Sequence, residues 1–396
     1  MEMVIVGGGI GGLAAALACA RAAPDTGRHI RLLERSAALS EVGAGIQLGP
    51  NVVHVLETMG LGAALAEVAA FPERLEVRNA LNSHLIGCLP LGAAMVARYG
   101  AAYATVARAD LHGLLLVALQ QCGVTWKLGA QVDHITASAE SMQLRLADGE
   151  TLETGLLVGA DGLWSKVRQQ VLGDAAPRAT GHLAYRAMVA MRDLPLALRS
   201  TAVTAWLGPH FHVVQYPVRG GQWLNVVAIV HGQVEGDPTS WDHSANADEL
   251  RARLANTEAP LLDLVHAIPA WRLWPLYDRP PMGGPAEQAQ GRVALLGDAA
   301  HPMRPYMAQG AGMAIEDAAQ LAASLQTHAG QGQVAALQHY AQTRWQRNAR
   351  VQARSIRNGG VFHLRAPASW GRDWSLKLLG QRLLDVPWLY GYSRPA

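Results

Sequence analysis

The stretch that decides the fold is Met3-Val4-Ile5-Val6, followed directly by Gly7-Gly8-Gly9-Ile10-Gly11-Gly12. The β-branched run predicts a strand, and the alanine- and leucine-rich segment Leu13–Ala23 predicts a helix after the glycines. His29–Leu33 predicts a second strand that ends at Glu34. A strand, a glycine turn, a helix and a strand in this order form half of a doubly wound nucleotide-binding sheet.

Each glycine of the GxGxxG pattern has its own physical purpose. Gly7 permits the tight turn, Gly9 lets the backbone approach a pyrophosphate, and Gly12 lets the helix lie close to the strand. The helix N-terminus offers unpaired N–H groups and a partial positive charge to phosphates. Glu34 follows Gly12 by 22 residues, where a carboxylate can accept hydrogen bonds from a ribose. The pattern predicts a dinucleotide site but does not separate FAD from NAD.

The composition excludes several classes of protein. The chain has 396 residues, enough for two or three domains, and 50% of them are hydrophobic against 16% charged, which excludes a disordered protein. The formal net charge is +2, so no strong field points to nucleic acid. The three cysteines, Cys19, Cys88 and Cys122, have no metal-binding spacing, so no metal site is expected.

The N-terminal segment resembles an export signal only in its apolar character. Met1–Ala20 contains Glu2, and no basic residue precedes its apolar run. No further apolar run is long enough to span a bilayer. Together with the odd cysteine count, this predicts a cytoplasmic protein that is not membrane-bound.

The remainder of the chain divides into helical and β-rich segments. Strand-like runs crowd together between Leu183 and Val230, with Gly220-Gly221 as a hairpin turn, and Val293–Leu296 is one more apolar strand. Further helices are predicted by their apolar spacing at Asn51–Met59, Ala109–Gln121, Ala311–Gln326 and Ala335–Asn358. Nucleotide-type segments therefore lie near both ends of the chain, with a β-rich block between them.

This arrangement predicts interleaved domains. We assign residues 1–72, 99–180 and 280–330 to a nucleotide-binding domain, 73–98 and 181–279 to a substrate-binding β-sheet domain, and 331–396 to a C-terminal helical region. A ligand site is expected at the junction of the two domains.

Two distal motifs identify the kind of nucleotide-binding protein. One motif runs from Val158 to Arg168 and contains Gly159-Ala160-Asp161-Gly162, and the other runs from Val293 through Gly297-Asp298 to Ala318. With the glycine turn, Arg108-Ala109-Asp110-Leu111 and the closing Trp388-Leu389-Tyr390-Gly391, the sequence resembles the single-component FAD-dependent aromatic hydroxylases (class A flavoprotein monooxygenases) over nearly its whole length. The resemblance is to enzymes of the salicylate hydroxylase, 3-hydroxybenzoate 6-hydroxylase and 6-hydroxynicotinate 3-monooxygenase type.

The resemblance implies a fold and an activity. The fold is the α/β architecture of the p-hydroxybenzoate hydroxylase type, in which a Rossmann-like FAD domain is interleaved with a mixed β-sheet substrate domain. The activity is hydroxylation of a small aromatic substrate, hydroxybenzoate- or hydroxypyridine-like, by O2 and NADH or NADPH through a flavin C4a-hydroperoxide. The sequence has no second GxGxxG, so FAD is expected as the resident cofactor and NADH or NADPH as a transient donor.

The resemblance also implies roles for the cofactor residues. Glu34 would hold the adenosine ribose, Arg108 the ribityl–pyrophosphate side, and Asp298 a ribityl hydroxyl. Asp161 would lie near the nicotinamide and the FAD pyrophosphate, although Asp161 and Asp298 also suit turn or N-cap positions. The remaining cofactor-binding candidates are Arg35, beside Glu34, and Gly310, Ala311 and Gly312, which open a helix whose N–H groups could face the flavin carbonyls.

His212 and Tyr216 are the catalytic candidates. Their spacing of four puts both side chains on one face of a strand. A neutral imidazole can accept a phenol proton and a tyrosine hydroxyl can position the oxygen, whereas plain sheet contacts are the alternative. The stretch from Phe211 to Gly221 resembles the corresponding strand of salicylate and 3-hydroxybenzoate hydroxylases, and the His-x3-Tyr pair is similar to one in 6-hydroxynicotinate 3-monooxygenase. His210 is a nearby competitor.

Two further side chains are candidates for contact with flavin or substrate. Gln47 lies in the loop Gly43–Asn51, whose glycines permit a close approach to the flavin ring. Arg186 is a candidate anchor for a substrate carboxylate, with a surface or structural role as the alternative.

Two other functions compete with hydroxylation. One is an FAD-dependent reductase or dehydrogenase that inserts no oxygen, and the other is a non-enzymatic nucleotide-binding sensor. The intact motifs around Asp161 and Asp298 disfavour the sensor. The resemblance suggests a homodimer. The substrate, the ring position, any accompanying decarboxylation and the choice of NADH or NADPH are left open by the sequence.

Overall fold

The computed structural model describes residues 2–23, 29–39, 44–138, 140–233, 243–244 and 247–392. The strands, in chain order, are β1 Met3–Val6, β2 Ile30–Leu33, β3 Gly45–Leu48, β4 Arg74–Asn79, β5 Leu85–Pro90, β6 Ala104–Ala107, β7 Thr125–Lys127, β8 Val132–Ala137, β9 Met142–Leu146, β10 Thr151–Thr154, β11 Leu156–Gly159, β12 Arg178–Ala190, β13 Val203–Gly208, β14 Phe211–Val218, β15 Trp223–His231, β16 His243–Ser244, β17 Arg272–Asp278, β18 Ala289–Gln290 and β19 Val293–Leu295. The helices are α1 Ile10–Ala22, α2 Pro50–Thr58, α3 Gly62–Val68, α4 Gly92–Tyr99, α5 Arg108–Gln120, α6 Lys166–Leu172, α7 Ala247–Arg253, α8 Ala259–Ala267, α9 Gly310–Thr327, α10 Gln333–Phe362, α11 Ala368–Leu384 and α12 Pro387–Tyr390.

The glycine-turn unit forms the centre of a six-stranded sheet. Its strand order is β18-β19-β11-β1-β2-β7, and β1 is parallel to both of its neighbours. Val6 is in register with Leu33 on one side and Gly159 on the other, so three strands end together beside the glycine turn. The predicted strand–turn–helix–strand unit is confirmed.

Helix α1 begins earlier than the composition indicates. The sequence predicts a start at Leu13, but the helix begins at Ile10 and includes Gly11 and Gly12. A Cβ at Gly12 would collide with the carbonyl oxygen of Gly7. The first helical turn can therefore lie against the strand end only because glycine occupies this position.

The second large sheet has eight strands in the order β16-β17-β12-β15-β14-β13-β4-β5. It is mixed, because β13 and β4 are parallel whereas the other neighbours are antiparallel. One face, which includes Phe211 and Val213, forms an apolar core with Leu250 of α7 and Leu261 of α8. The opposite face lies toward α9 and α10, because Tyr216 shares a core with Met313 and Val351.

Cross-strand pairing places six polar residues on this second face. Tyr216 pairs with Asn225 and Val214 with Val227, which in turn pairs with Arg186. Side chains alternate along a strand, so residues two or four positions apart share a face. The residues on this face are His182, Arg186, His212, Tyr216, Asn225 and His231.

The C-terminal region is more helical than its composition indicates. After α10, the helix α11 contacts β5 of the large sheet, whereas the sequence predicts no individual helix beyond Asn358 within the C-terminal helical region. None of the helices within the described residues is both long and apolar enough to cross a bilayer. The predicted domain boundaries are kept as a proposal.

Candidate active site

The glycine turn is shaped to receive a phosphate group. Gly7 has a φ of 111°, which favours glycine, and a Cβ there would collide with the carbonyl of Ala160 at the end of the neighbouring strand. A Cβ at Gly9, in contrast, would meet no atom within 4 Å. The turn is thus tightly held on its strand side and open on the other, where a pyrophosphate could approach the N-terminus of α1.

Glu34 lies beside this turn. Its Oε2 accepts a hydrogen bond of 2.6 Å from the backbone N–H of Gly8, and its Oε1 accepts one of 2.8 Å from Ser36. These two bonds fix the carboxylate at the carboxyl end of β2, which is the predicted position for a ribose contact. The neighbouring Arg35 is exposed.

Asp161 precedes helix α6, whose N-cap residue is Ser165. The Asp161 carboxylate accepts hydrogen bonds from the Ser165 hydroxyl at 2.5 Å and from the backbone N–H groups of Lys166 at 2.8 Å and Val167 at 3.1 Å. These contacts satisfy the start of the helix, and the cofactor role of Asp161 stays a prediction. Asp161 still follows directly on Ala160, beside the glycine turn.

Asp298 follows β19 of the six-stranded sheet. Desolvation by the surrounding protein raises the pKa of its carboxyl. Arg108, His301 and Arg186 oppose this shift through their charges, so all three are close to the carboxylate. Two predicted cofactor residues, Arg108 and Asp298, therefore come together here although they are far apart in sequence.

The predicted start of α9 lies beside Asp298. A Cβ at Gly310 would lie 4.0 Å from an oxygen of Asp298, and a Cβ at Gly312 would lie 2.6 Å from Val52 of α2. The first turn of this 18-residue helix, whose N–H groups have no partner within the helix, therefore lies beside Asp298. Partial positive charge at this position suits an electron-rich ring or anion.

Gln47 lies on strand β3, which pairs with β6, and not in a loop as the sequence predicts. The start of β3 is bonded to the large sheet. The backbone N–H of Gly45 donates a 2.6 Å hydrogen bond to Oδ1 of Asn225, and a Cβ at Gly45 would lie 2.6 Å from the Tyr216 ring. Gln47 is buried, and its Oε1 accepts a 2.7 Å hydrogen bond from the hydroxyl of Tyr103. Burial raises the pKa of Tyr216, which keeps its hydroxyl protonated. The structure thus brings Gln47 and Tyr216 to one wall.

Arg186 stands on the same wall with an unused donor. Its Nε is buried without a hydrogen-bond partner within the described part of the chain, and its guanidinium lies 5.2 Å from the centre of the Trp274 ring. Burial lowers the pKa of Arg186, and the charge of Asp298 counteracts that shift while Arg108 adds to it. Because a buried N–H donor without a partner is costly, the Nε of this guanidinium suits an anionic ligand.

His212 lies deeper in the same face of the sheet. The residue is 1% exposed, and its ring is within 5.3 Å of the Tyr306 and Phe362 rings, measured between centroids. Nδ1 of His212 lies 2.8 Å from Nε2 of His363. Burial, together with the charge of His182, lowers the pKa of His212 to about 3. The ring is therefore neutral at neutral pH, and Nε2 is the nitrogen left for another partner.

A buried ionic network lies between helices α9 and α10. Asp317 accepts hydrogen bonds from His301 at 2.5 Å and Arg344 at 2.7 Å, and Glu316 accepts from Arg344 at 2.8 Å and Arg347 at 2.7 Å. Burial alone would raise the pKa of both carboxyls, but the cations outweigh it and both pKa values are lowered. The network ties α10 to α9 and so fixes the helix start beside Asp298.

Sequence reasoning missed the residues that only tertiary structure brings in. Tyr103 and His363 bond to the predicted residues Gln47 and His212, at separations of 56 and 151 residues along the chain. Asn225 bonds to Gly45, two residues before Gln47, at a separation of 180 residues. The alternation of β15 could have placed Asn225 on the substrate face once its pairing was known. No local pattern marks His363, which caps the end of α10.

Comparison with known proteins identifies the family. The model of the FAD-binding-domain family matches residues 1–355. The chain is 37% identical over 397 residues to 3-hydroxybenzoate 6-hydroxylase 1 of Aquipseudomonas alcaligenes, covering 98% of this chain and 97% of that protein. It is 35% identical over 352 residues to 6-hydroxynicotinate 3-monooxygenase of Bordetella bronchiseptica, covering 89% of each.

The solved structures agree with this relationship. A salicylate hydroxylase in complex with substrate superimposes with a TM-score of 0.81 at 27% identity, over 99% of this chain and 95% of that one. The predicted p-hydroxybenzoate hydroxylase type of fold, with FAD as cofactor, is thereby confirmed.

Proposed function

The chain belongs to the FAD-binding-domain family and is a flavin-dependent aromatic monooxygenase, and on that premise we propose that its substrate is a small aromatic acid with a ring hydroxyl group. The electron donor in this proposal is NADH or NADPH. The named substrates of the relatives, 3-hydroxybenzoate and 6-hydroxynicotinate, both combine a carboxylate with a ring hydroxyl. A substrate of this kind needs one group in this chain that binds its carboxylate and another that accepts the proton of its ring hydroxyl.

The observation that carries the proposal is the buried Nε of half-buried Arg186. Its Nε has no partner among the described residues, and it lies on the sheet face that carries Tyr216 and His212. A carboxylate would complete the hydrogen bonds of Arg186 and compensate its buried charge. An uncharged phenol would leave the guanidinium unpaired.

His212 and Tyr216 are the proposed catalytic pair. Attack on an electrophilic oxygen is faster from a phenolate than from a phenol, so the ring hydroxyl needs a proton acceptor. Neutral His212 can take that proton at Nε2, since its Nδ1 is engaged by His363. Tyr216 keeps its proton and can donate a hydrogen bond that holds the substrate oxygen in place.

The residues present fit FAD. The open side of the glycine turn at Gly9 would receive the pyrophosphate, with Glu34 at the ribose. Arg108, Asp298 and the start of α9 would border the ribityl chain and flavin ring. When bound, FAD accepts electrons from the nicotinamide donor and activates O2.

The test is oxygen uptake by the purified holoenzyme. NADH or NADPH is supplied with a panel of hydroxybenzoates and hydroxynicotinates, and the products are identified by mass spectrometry with 18O2. We expect one or more acids to stimulate uptake and to gain one labelled oxygen atom. NAD(P)H oxidation without oxygen consumption would indicate a dehydrogenase instead. Equal turnover of phenols that lack the carboxylate would contradict the acid specificity.

Two further predictions from the sequence, on assembly and location, are also proposals. One is a homodimer, which sedimentation of the holoenzyme would test. The other is a cytoplasmic location, for which the three free cysteines are the supporting observation.

A further inference from the structure

Five histidines converge at one end of the substrate face. His182 and His231 are directly paired on β12 and β15, His212 lies on β14 with His210 just before it, and His363 caps α10. Neighbouring ring centroids in this cluster are 4.5 to 5.3 Å apart. Such a density of imidazoles exceeds what an apolar core requires.

Four of the rings form a continuous hydrogen-bonded chain. Nδ1 of His212 lies 2.8 Å from Nε2 of His363, and Nδ1 of His363 lies 2.9 Å from Nε2 of His231. Nδ1 of His231 then lies 3.3 Å from Nδ1 of His210. Each interior ring uses one nitrogen toward the protein interior and the other toward the surface.

Exposure rises from His212 through His363 to His231. His212 is 1% exposed and His363 is 6% exposed, whereas His231 is an exposed residue. The chain therefore connects the buried candidate base to solvent through two intervening bonds. His182 does not belong to it, because its Nδ1 bonds to the hydroxyl of Tyr306 at 2.8 Å.

We propose that His363 and His231 relay protons between His212 and solvent. The proposal rests on the proposed function only in naming the substrate hydroxyl as the proton source. The phenol O–H breaks as its proton binds Nε2 of His212. The Nδ1 protons of His212 and His363 each move to Nε2 of the next ring, and a proton leaves His231 at Nδ1 to His210 or water. The return of a proton to the product hydroxyl along the same path restores the original tautomers, so the cycle balances.

The surroundings keep the relay rings neutral between transfers. Burial lowers the pKa of His363 to about 2, and the four neighbouring histidines add to this. Burial also lowers the pKa of His231, with His210 and the cation Arg365 contributing. An imidazole can relay only when one nitrogen carries a proton and the other a lone pair, which is its neutral form.

Other charged groups lie around the cluster but outside the chain. Arg304 and Asp278 act on His182 with opposite signs. Arg253 donates a 2.7 Å hydrogen bond to the backbone carbonyl of His231 and leaves the ring free. No carboxylate interrupts the sequence of rings within the described residues, so a proton meets no acidic group that would hold it.

The first experiment needs no substrate. Holoenzyme with 15N-labelled histidine is placed in D2O, and exchange of the His212 side-chain N–H is followed by NMR in the wild type, His363→Gln and His231→Gln. We expect both variants to slow exchange by about tenfold or more. His84→Asn, at an exposed histidine before β5 and outside the cluster, is the control and should leave the rate unchanged. Unchanged exchange in both relay variants would overturn the proposal.

The second experiment uses the acid identified by oxygen uptake. Ionisation of its ring hydroxyl on binding is followed by stopped-flow absorbance. A relay predicts slower ionisation in His231→Gln with the same final extent, and recovery of the rate by added free imidazole. A changed extent with an unchanged rate would instead show that these residues only set the environment of His212, and would overturn the relay.

Metal analysis provides a separate check. Ring nitrogens of His182, His231 and His363 lie within 4.8 Å of one another. A stoichiometric metal ion in the purified protein that disappears in His363→Gln would overturn the relay, because a metal-bound imidazole cannot pass a proton. If no acid is turned over but exchange still depends on His363, the proposed function fails while the proton path stands.

Discussion

Gly45 and Asn225 are joined by a 2.6 Å hydrogen bond from the backbone N–H of Gly45 to the side-chain oxygen of Asn225, across 180 residues of sequence. Gly45 begins the strand that carries Gln47, and Asn225 pairs with Tyr216 on the large sheet. The bond therefore fixes the spacing between strand β3 and the sheet face proposed to bind the substrate.

Asn225→Ala should loosen this junction. The N–H of Gly45 would lose its partner, at a cost of about 1–3 kcal/mol in the free energy of unfolding. We also expect more reduced oxygen to leave as H2O2 and less to appear in product, since the two walls would no longer be held together. Urea unfolding and the ratio of peroxide to product measure both effects. Asn82→Ala, in the exposed turn before β5, is the control, and identical coupling in the two variants would exclude this role.

Glu34→Ala should weaken FAD binding. The variant loses the carboxylate that holds the Gly8 N–H and is placed at the predicted ribose position. We expect about a tenfold rise in the Kd for FAD, equivalent to ~1.4 kcal/mol. Flavin fluorescence during dialysis measures retention, with Glu153→Ala on the exposed strand β10 as the control. A Glu34→Ala protein that keeps its full flavin content would count against the assignment.

Arg186→Gln should impair binding of acids selectively. Loss of a buried charge pair with the substrate carboxylate is expected to cost about 2 kcal/mol or more, which raises KM by more than about tenfold. The KM for O2 and the FAD content should not change. Steady-state kinetics with an aromatic acid and with its uncharged amide separate the cases. If KM rises equally for both, Arg186 acts on the shape of the site and does not bind the carboxylate.

His212→Ala should slow hydroxylation and spare the flavin. The variant lacks the proposed proton acceptor, so the rate should fall by about a hundredfold or more at neutral pH and recover in part at alkaline pH, where the free phenol ionises. Single-turnover kinetics across that pH range provide the measurement. His54→Ala, on α2 away from the large sheet, is the control. A turnover rate that matches the wild type throughout would rule out His212 as the base.

The buried network at α9 and α10 predicts an acid-sensitive fold. The pKa values of Glu316 and Asp317 are lowered in the folded protein, so their stabilisation is present above their unfolded pKa values near 4 and is lost as pH falls below them. Arg344→Met removes the shared cation and should cost about 3–5 kcal/mol at neutral pH. Acid unfolding should then begin at a higher pH than in the wild type.

Circular dichroism during acid titration measures this shift. The exposed residue Arg382 on α11 provides the control variant Arg382→Met. A midpoint that does not move in Arg344→Met would mean that the two carboxylates find compensating partners. Both carboxylates are fully buried, so such partners would have to come from rearranged helices or entering water.

Much of the cofactor end could be predicted because its signals are local. The glycine turn, the first strand and helix, and the position of Glu34 follow from residues that are close in sequence. The shared face of His212 and Tyr216 also follows from the two-residue period of a strand. The structure confirms this placement, while the chemical roles of both residues stay predictions.

The substrate end could not be predicted fully because its contacts are distant. His363 reaches His212 from the end of a 30-residue helix, and no spacing rule connects them. Asp161 shows a different difficulty, since a carboxylate after a strand fits both a helix cap and a cofactor contact. Arg186 could be placed on a strand, but its missing partner is visible only when all surrounding residues are in position.

The order of strands in the six-stranded sheet has a consequence for synthesis on the ribosome. The central strand β1 pairs with β11, which pairs in turn with β19 near residue 293. This sheet cannot be completed until about three quarters of the chain has emerged, and such long-range pairing slows folding. We expect a fragment of residues 1–280 to present an unpaired edge of β11 and to enter inclusion bodies, whereas the whole chain does not. The six-stranded sheet is therefore completed only late in synthesis, because its strands come from both ends of the chain.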